Sequence, residues 1–372
     1  MVQFQKHSTA PGGKSADGRV DYRQADGQQD ESSRAFQPCL QRSVPLARST
    51  EEDAMDDRVK EFPNHSYEDS PWGLPLIVLN LRTLRHAWRQ NTKPNGVTYE
   101  LPSREVLSGI VDDLQAALFP RHFGPPSLTE GSVDYFIGRT LDRVLHSLLE
   151  QVNRDLLLAS ELQEDTRLER EQRANDIVRT FAAKLPSVRT LLESDILAAV
   201  QGDPAAHSID EVLFCYPGVI ALIRHRLAHE LYELGVPLIA RIIAEIAHSN
   251  TGIDIHPGAK IDRGFFIDHG TGVVIGETAI IGQNVRLYQG VTLGAKTFTV
   301  DERGFLLKGV ARHPIIEDDV VVYAGATILG RIVIGRGSTI GGNVWLTRSV
   351  PPGSKITQAL ARNDTFIDGG GI

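Results

Sequence analysis

The chain has 372 residues, 41% of them hydrophobic, and a formal net charge of −8 from 39 basic and 47 acidic side chains. That length leaves room for two or three domains. The acidic balance, with no basic cluster, argues against nucleic acid as a partner, and no apolar run approaches the roughly 18 residues of a membrane span.

Cys39 and Cys215 are far apart and imply no disulfide framework. Cys215, between Phe214 and Tyr216, is expected to be a small core residue. The first residues lack a secretory signal, so the expected setting is the cytoplasm.

Residues 1–70 are rich in Gln, Ser, Asp, Gly and Arg and are predicted to form a disordered extension. Asp17, Asp21, Asp26, Asp30 and Glu31 are too many acids for the usual organelle transit peptide.

Over 71–252 the apolar spacing becomes helical. Leu107, Ile110, Val111, Leu114 and Leu118 form one stripe, and Val133, Phe136, Ile137, Leu141, Val144, Leu145 and Leu148 form another. Ser208-Ile209-Asp210-Glu211 has the form of a capping box. Gly235 and Gly252 are predicted stops for helices over 218–234 and 236–249.

Between Pro257 and Val350 the period is six, which sets a domain over 253–353. Ile275, Ile281, Leu287 and Leu293 recur at that spacing, followed one residue later by the glycine series 258, 264, 270, 276, 282 and 294, broken by Tyr288. Ile261, Ile267, Val273, Ala279, Val285 and Val291 form a third series. The pattern lapses near Phe298 and returns one residue out of phase as Ile316, Val322, Ile328, Ile334, Ile340 and Leu346. Six fits neither the 3.6 of a helix nor the 2 of a strand. It fits hexapeptide repeats winding a parallel β-helix, three hexads to a coil, with coils about 4.8 Å apart. The segment 299–312, with Asp301, Glu302, Arg303 and Gly304, is predicted to project as a loop, and 354–372 to be a flexible tail.

His269 occupies a repeat position that is aliphatic at 275, 281, 287 and 293. Asp268 precedes it. Asp254 lies somewhat less than one coil earlier and is expected on the neighbouring coil. A carboxylate beside the imidazole would make His269 a competent base near neutral pH; the plain alternative is a polar corner residue. Arg312-His313-Pro314 re-enters the repeat after the loop. Arg312 either grips a carboxylate in bidentate fashion or pairs at the surface with Glu317 or Asp318. The spacing of His248, His256, His269 and His313 suits no catalytic zinc, so no metal is expected.

Together, Asp254-Ile255-His256-Pro257, Ile267-Asp268-His269-Gly270-Thr271-Gly272, Val274-Ile275-Gly276-Glu277-Thr278, Val291-Thr292-Leu293-Gly294 and Arg312-His313-Pro314 closely resemble the serine O-acetyltransferase family. The resemblance runs from about residue 191 to 350. It implies an α+β fold in which an N-terminal α-helical domain is followed by a left-handed parallel β-helix of hexapeptide repeats. It also implies transfer of acetyl from acetyl-CoA to L-serine, giving O-acetyl-L-serine and CoA in the first step of cysteine biosynthesis.

By the same resemblance His269 is the general base, oriented by Asp254. Asp203, which the family carries at the end of its helical domain, and Asp268 bind the serine ammonium, while Arg312 with His313 binds its carboxylate. Gly294, Ala295, Ala324 and Gly325 line the acetyl-CoA groove; Ala295 departs from the glycine usual there. The resemblance further implies a homotrimer or dimer of trimers with shared sites, and feedback inhibition by L-cysteine. The tail 366–372 resembles the segment through which members dock on O-acetylserine sulfhydrylase by a terminal isoleucine, here Ile372. The loop is longer than in compact members, and Gln358-Ala359-Leu360-Ala361-Arg362 replaces the Gly-x-Pro-Ala run. Two other readings stay open: a hexapeptide acyltransferase acting on a sugar or homoserine, and a non-catalytic scaffold for a sulfhydrylase.

Overall fold

The computed structural model describes residues 72–92, 100–159 and 166–358. The predicted extension 1–70 and the tail end with Ile372 lie outside the described residues.

Among the described residues, eight helices precede the repeats: α1 (Leu74–Thr92), α2 (Arg104–Leu118), α3 (Pro120–Phe123), α4 (Val133–Ala159), α5 (Arg167–Gly202), α6 (Ile209–Cys215), α7 (Pro217–Glu233) and α8 (Pro237–Thr251). Their ends follow local chemistry. Pro120, Pro217 and Pro237 sit at first positions, where a missing N–H is harmless. Thr166 and Glu169 cap α5 reciprocally. Gly252 closes α8 with φ of 70°, and Gly235 follows α7 with φ of 83°.

At α6 the predicted box is half formed. Ser208 accepts the Glu211 N–H, but the Glu211 carboxylate takes the N–H of His207 instead of that of Ser208. Cys215 is exposed, contrary to expectation. Helix α6 buries Val212 and Leu213, which turns the position two residues on away from the core.

After Gly252 the described chain winds through fourteen strands of two or three residues: β1 (Asp254–Ile255), β2 (Lys260–Ile261), β3 (Phe266–Ile267), β4 (Val274–Ile275), β5 (Ile280–Ile281), β6 (Arg286–Leu287), β7 (Thr292–Gly294), β8 (Ile315–Ile316), β9 (Val321–Val322), β10 (Thr327–Leu329), β11 (Val333–Ile334), β12 (Thr339–Ile340), β13 (Trp345–Leu346) and β14 (Lys355–Ile356). They pair in parallel, coil upon coil, in three sheets ordered β1-β4-β7-β10-β13, β2-β5-β8-β11 and β3-β6-β9-β12-β14. This is a three-sided, left-handed parallel β-helix. Ile275, Ile281, Leu287, Leu293, Ile316, Val322, Ile328, Ile334 and Ile340 all point inward and are at most 2% exposed.

The pairing step changes after the first coil. Asp254 pairs with Val274, Lys260 with Ile280 and Phe266 with Arg286, all at the same separation along the chain. Val274 pairs with Thr292, a separation shorter by two. Two extra residues therefore sit between β3 and β4. They fall at His269 and Gly270, with φ of 58° and 86°. This bulge corrects the sequence reading in two ways. The series 261–291 is not one column: Ile261 and Ile267 stack on Ile281 and Leu287, while Val273 and Val291 belong with Ala259, Phe265, Ala279 and Val285. Nor does His269 occupy an inward position; Ile267 does, and His269 is lifted out of the stack.

A second and larger change, where Ile280 pairs with Ile315, marks the projecting segment. It folds back through an antiparallel Val300–Leu306 bridge, with Asp301 accepting the N–H groups of Arg303 and Phe305.

Helices α5 and α7 are bolted to the first coil. The Arg226 guanidinium makes two bonds to Asp195, of 2.6 and 2.8 Å, and donates to the carbonyls of Ile261 and Asp262. Asp195 also accepts the N–H of Phe265. Both side chains of the pair are almost wholly buried. Gly218 lets α7 approach β3, since a Cβ there would stand 2.3 Å from the Ile267 carbonyl oxygen. Removing one partner of such a buried pair strands the other charge. Arg226→Met should therefore cost about 3–5 kcal/mol, read as a large fall in melting temperature, and Arg226→Met with Asp195→Leu should recover much of it.

Candidate active site

The corner between β3 and β4 gathers the acidic candidates. Asp203 is the C-cap of α5 and Tyr216 the N-cap of α7; the Tyr216 hydroxyl donates to Asp203 at 2.5 Å, and the Ala205 N–H donates at 2.8 Å. These bonds, Tyr216 foremost, hold the Asp203 carboxyl below its usual range, while burial and Asp203 push the Tyr216 phenol up. Asp268 is nearly buried and bonds Arg286 at 2.5 Å. The His269 imidazole, 72% exposed, stands 3.8 Å from the other oxygen of Asp268. The corner thus offers two carboxylates beside an accessible imidazole.

Asp254 does not fall on a neighbouring coil. The enlarged first turn places it and His269 on the same coil, Asp254 at the start of β1 and His269 after β3. Among the described residues, no hydrogen bond or ion pair joins them; the carboxylate within 4 Å of the imidazole is Asp268.

The opposite edge of the β1-β4-β7 face carries the basic candidates. Arg312 bonds Glu277 at 2.6 Å rather than Glu317 or Asp318, both of which serve Arg336. Glu277 also accepts the Tyr232 hydroxyl. Burial pushes Glu277 up, but these donors outweigh it and leave it below its usual range; the Tyr232 phenol is raised to about 12 by burial and by Glu277.

His313 is buried. Its Nδ1 accepts the Thr278 N–H at 3.0 Å and lies 2.9 Å from the Thr278 hydroxyl, so its proton resides on Nε2. Burial, then Arg312, lowers its pKa to about 4. Gly276 makes this possible, since a Cβ there would lie 2.0 Å from the ring. The edge therefore presents a guanidinium and a neutral imidazole N–H donor.

Gly294 closes β7 and Ala295 follows it, while Ala324 and Gly325 lead into β10; the four flank the same face. The structure thus keeps Asp203, Asp268 and His269 together and Arg312 with His313 together, with the width of one face between the groups.

Arg286, Tyr216 and Tyr288 join the site without having been marked by the sequence reading. Tyr288 leaves a trace there as the break in the glycine series, and it stacks on Tyr323 with centroids 5.0 Å apart. Among the described residues, no group of three His, Cys, Asp or Glu side chains could hold a metal, and no helix is long and apolar enough to cross a membrane.

Residues 313–348 match the bacterial transferase hexapeptide family (six repeats). The chain is similar to the plasmid serine acetyltransferase of Synechococcus elongatus, 58% identical over 304 residues that cover 81% of this chain and 95% of that one. It is similar to the serine acetyltransferase of Mycobacterium tuberculosis, 49% identical over 45% of this chain and 69% of that one. Among solved structures it is similar to Entamoeba histolytica serine acetyltransferase isoform 3 in complex with cysteine, with a TM-score of 0.59, 30% identity, and coverage of 79% of this chain and 96% of that one. Serine acetyltransferase 1 of the same organism, in complex with L-cysteine, gives a TM-score of 0.57, 37% identity, and coverage of 70% and 88%. With the helix order, the three-sided coil and nearly the full length of the Synechococcus protein accounted for, the chain belongs to the serine acetyltransferase family.

Proposed function

We propose that the chain transfers acetyl from acetyl-CoA to L-serine, giving O-acetyl-L-serine and CoA, with His269 as the base. The observation that carries this reading is the division of charge across one face. Two carboxylates and an imidazole suit the ammonium and hydroxyl end of an amino acid; Arg312 and His313 suit its carboxylate. A sugar acceptor would leave these charges unmatched.

In this reading His269 takes the serine hydroxyl proton as the oxygen attacks the thioester carbonyl. A carbon–oxygen bond forms, the tetrahedral intermediate expels CoA thiolate, and His269 returns the proton to sulfur. Acid–base catalysis of this kind contributes about 10²–10⁴-fold. Asp203 and Asp268 receive the ammonium. Asp254, whose side chain has no hydrogen-bonding partner among the described residues, orients the imidazole once the site is assembled. Acetyl-CoA lies against Gly294, Ala295, Ala324 and Gly325, small residues that admit the pantetheine arm.

The separation of the two edges supports a homotrimer or a dimer of trimers, in which Arg312 and His313 of one copy face His269 of the next. L-cysteine carries the same ammonium and carboxylate and occupies the same contacts as a feedback inhibitor. The proposed setting is the cytoplasm, where acetyl-CoA and L-serine are both supplied. Ile372 is the proposed docking residue for O-acetylserine sulfhydrylase.

Thiol release from acetyl-CoA with L-serine should fall about 10²–10⁴-fold in His269→Ala; a normal rate rejects the base. Co-expression of His269→Ala with Arg312→Gln should give mixed oligomers that regain part of the activity, because some sites then hold both native edges. Mixed oligomers as inactive as the single variants would place the whole site within one copy.

Stability should also depend on pH. His313 and His256 are both lowered to about 4, with burial the main cause in each. The unfolded chain takes up protons from about pH 6.5 downward while the native chain does not. The contribution of these two histidines is therefore full above about pH 6.5 and lost progressively toward pH 4. Melting temperatures between pH 7.5 and 4.5 should trace this fall, and His313→Gln should flatten it.

A further inference from the structure

We propose that Arg286 is a positioning residue for the amino-acid substrate: it fixes Asp268 and offsets one of the two carboxylates, so that the corner presents a single net negative charge to an ammonium group. This rests on the function proposed above and assigns a role to a residue outside the reacting set.

Arg286 lies on β6, next to the inward Leu287 and directly above Phe266 of the first coil. Its Nη2 donates to Oδ2 of Asp268 at 2.5 Å, and its Nη1 donates to the carbonyl of Gly202 at 2.5 Å. Gly202 is the residue before Asp203. One rigid fork therefore ties the backbone beside the first carboxylate to the side chain of the second. The guanidinium carbon is 4.9 Å from the Phe266 ring and 4.6 Å from the Tyr288 ring, and Tyr288 in turn lies flat on Tyr323. The fork is thus held in an aromatic slot that restricts its rotation. Its Nε is buried without a partner, an unfavourable placement that the two Nη bonds offset.

The pairing leaves the acceptors unevenly occupied. Oδ2 of Asp268 is taken by Arg286, and both oxygens of Asp203 hold donors, from Ala205 and Tyr216. Among the described residues, Oδ1 of Asp268, on the side of His269, has neither an amide nor a guanidinium donor. An incoming ammonium therefore meets one preset, donor-free oxygen of Asp268 beside the imidazole, and the remaining lone pairs of Asp203 complete its contacts. Among the described residues, the charged and titratable groups around Asp268 include Arg286 and Tyr288 on the next coil, His269 on its own corner, and Asp203 and Tyr216 from the helices. Arg286 is the permanent cation that touches Asp268. Without it, two carboxylates would share the corner and Asp268 would lose its fixed orientation. Lysine carries the charge but not the fork, and reaches one acceptor at a time.

The test is steady-state kinetics of the full chain with L-serine and acetyl-CoA, together with melting temperatures. Arg286→Gln should raise the serine KM at least about tenfold, as loss of a charged hydrogen bond does. The acetyl-CoA KM should stay within about twofold, with kcat falling less than the serine KM rises. Arg286→Lys should lie between Gln and the native enzyme. A native serine KM in a folded Arg286→Gln variant overturns the inference, as does an equal rise in both KM values. If Arg286→Gln does not fold, Tyr288→Leu removes one wall of the slot and leaves every charge in place. It should raise the serine KM roughly threefold, and an unchanged value overturns the inference. A native chain that transfers no acetyl to serine sinks the function proposed above; an active native chain with an indifferent Arg286→Gln sinks this inference alone.

Discussion

The molecule depends on each coil having another coil to lean on. A strand of two residues cannot bury a side chain by itself; Ile275 is buried because Ile255 lies on one side and Leu293 on the other. Each fully buried aliphatic contributes about 1.5–3 kcal/mol, so long columns of them make a rigid prism from strands too short to exist alone. The corners are under a different constraint. They need backbone that turns, supplied by glycine or by residues such as Asn284, Asp319 and Asn343 at φ of 54–59°, but they need not fill a core. Extra residues are therefore accommodated at corners, and both insertions into the winding, at His269–Gly270 and between Gly294 and Ile315, occur there; the last described coil, where Thr339 pairs with Lys355, is instead shorter by two.

Each insertion carries chemistry. The first lifts an imidazole off the prism beside two carboxylates. The second delivers Arg312 and His313 to the other edge of the face. The helices complete the first corner: α5 ends beside Asp203, α7 begins after Tyr216, and the Asp195–Arg226 pair sets where both stand against the coil. The basic edge meets α7 through Tyr232, which reaches Glu277, and through His229, which bonds the carbonyl of Pro257. Both edges thus lean on the helices, the first through its own site residues and the second through supports beneath them.

Much of the fold is legible in the chain because a six-residue period has few physical explanations and because helix ends are written in short-range chemistry. Phase is harder to read. A bulge of two leaves glycines and aliphatics near six-residue spacing, so Val273 looks continuous with Ile267 although they belong to different columns. His269, Asp268, Arg312 and His313 can be picked out as chemistry out of place in a repeat or at its margin, whereas Asp203, at the end of α5, is marked only by the family resemblance. Arg286 cannot, because an arginine at an outward repeat position looks like any solvated charge; only the fold shows that Gly202 and Asp268 converge on it. Cys215 defeats sequence reading because so short a helix as α6 does not reveal by its own pattern which face is covered.

The Asp195–Arg226 joint also sets a direction for loss of structure. Coils in a stack hold only their neighbours, so unravelling begins wherever an end lacks a cover. The first coil is clamped by α5, α7 and α8, whereas the last described coil, around β14, has among the described residues a neighbour on one side alone. The prism is therefore expected to fray from its far end, surrendering the last turns while the first coil, held by the helices, is the last to let go.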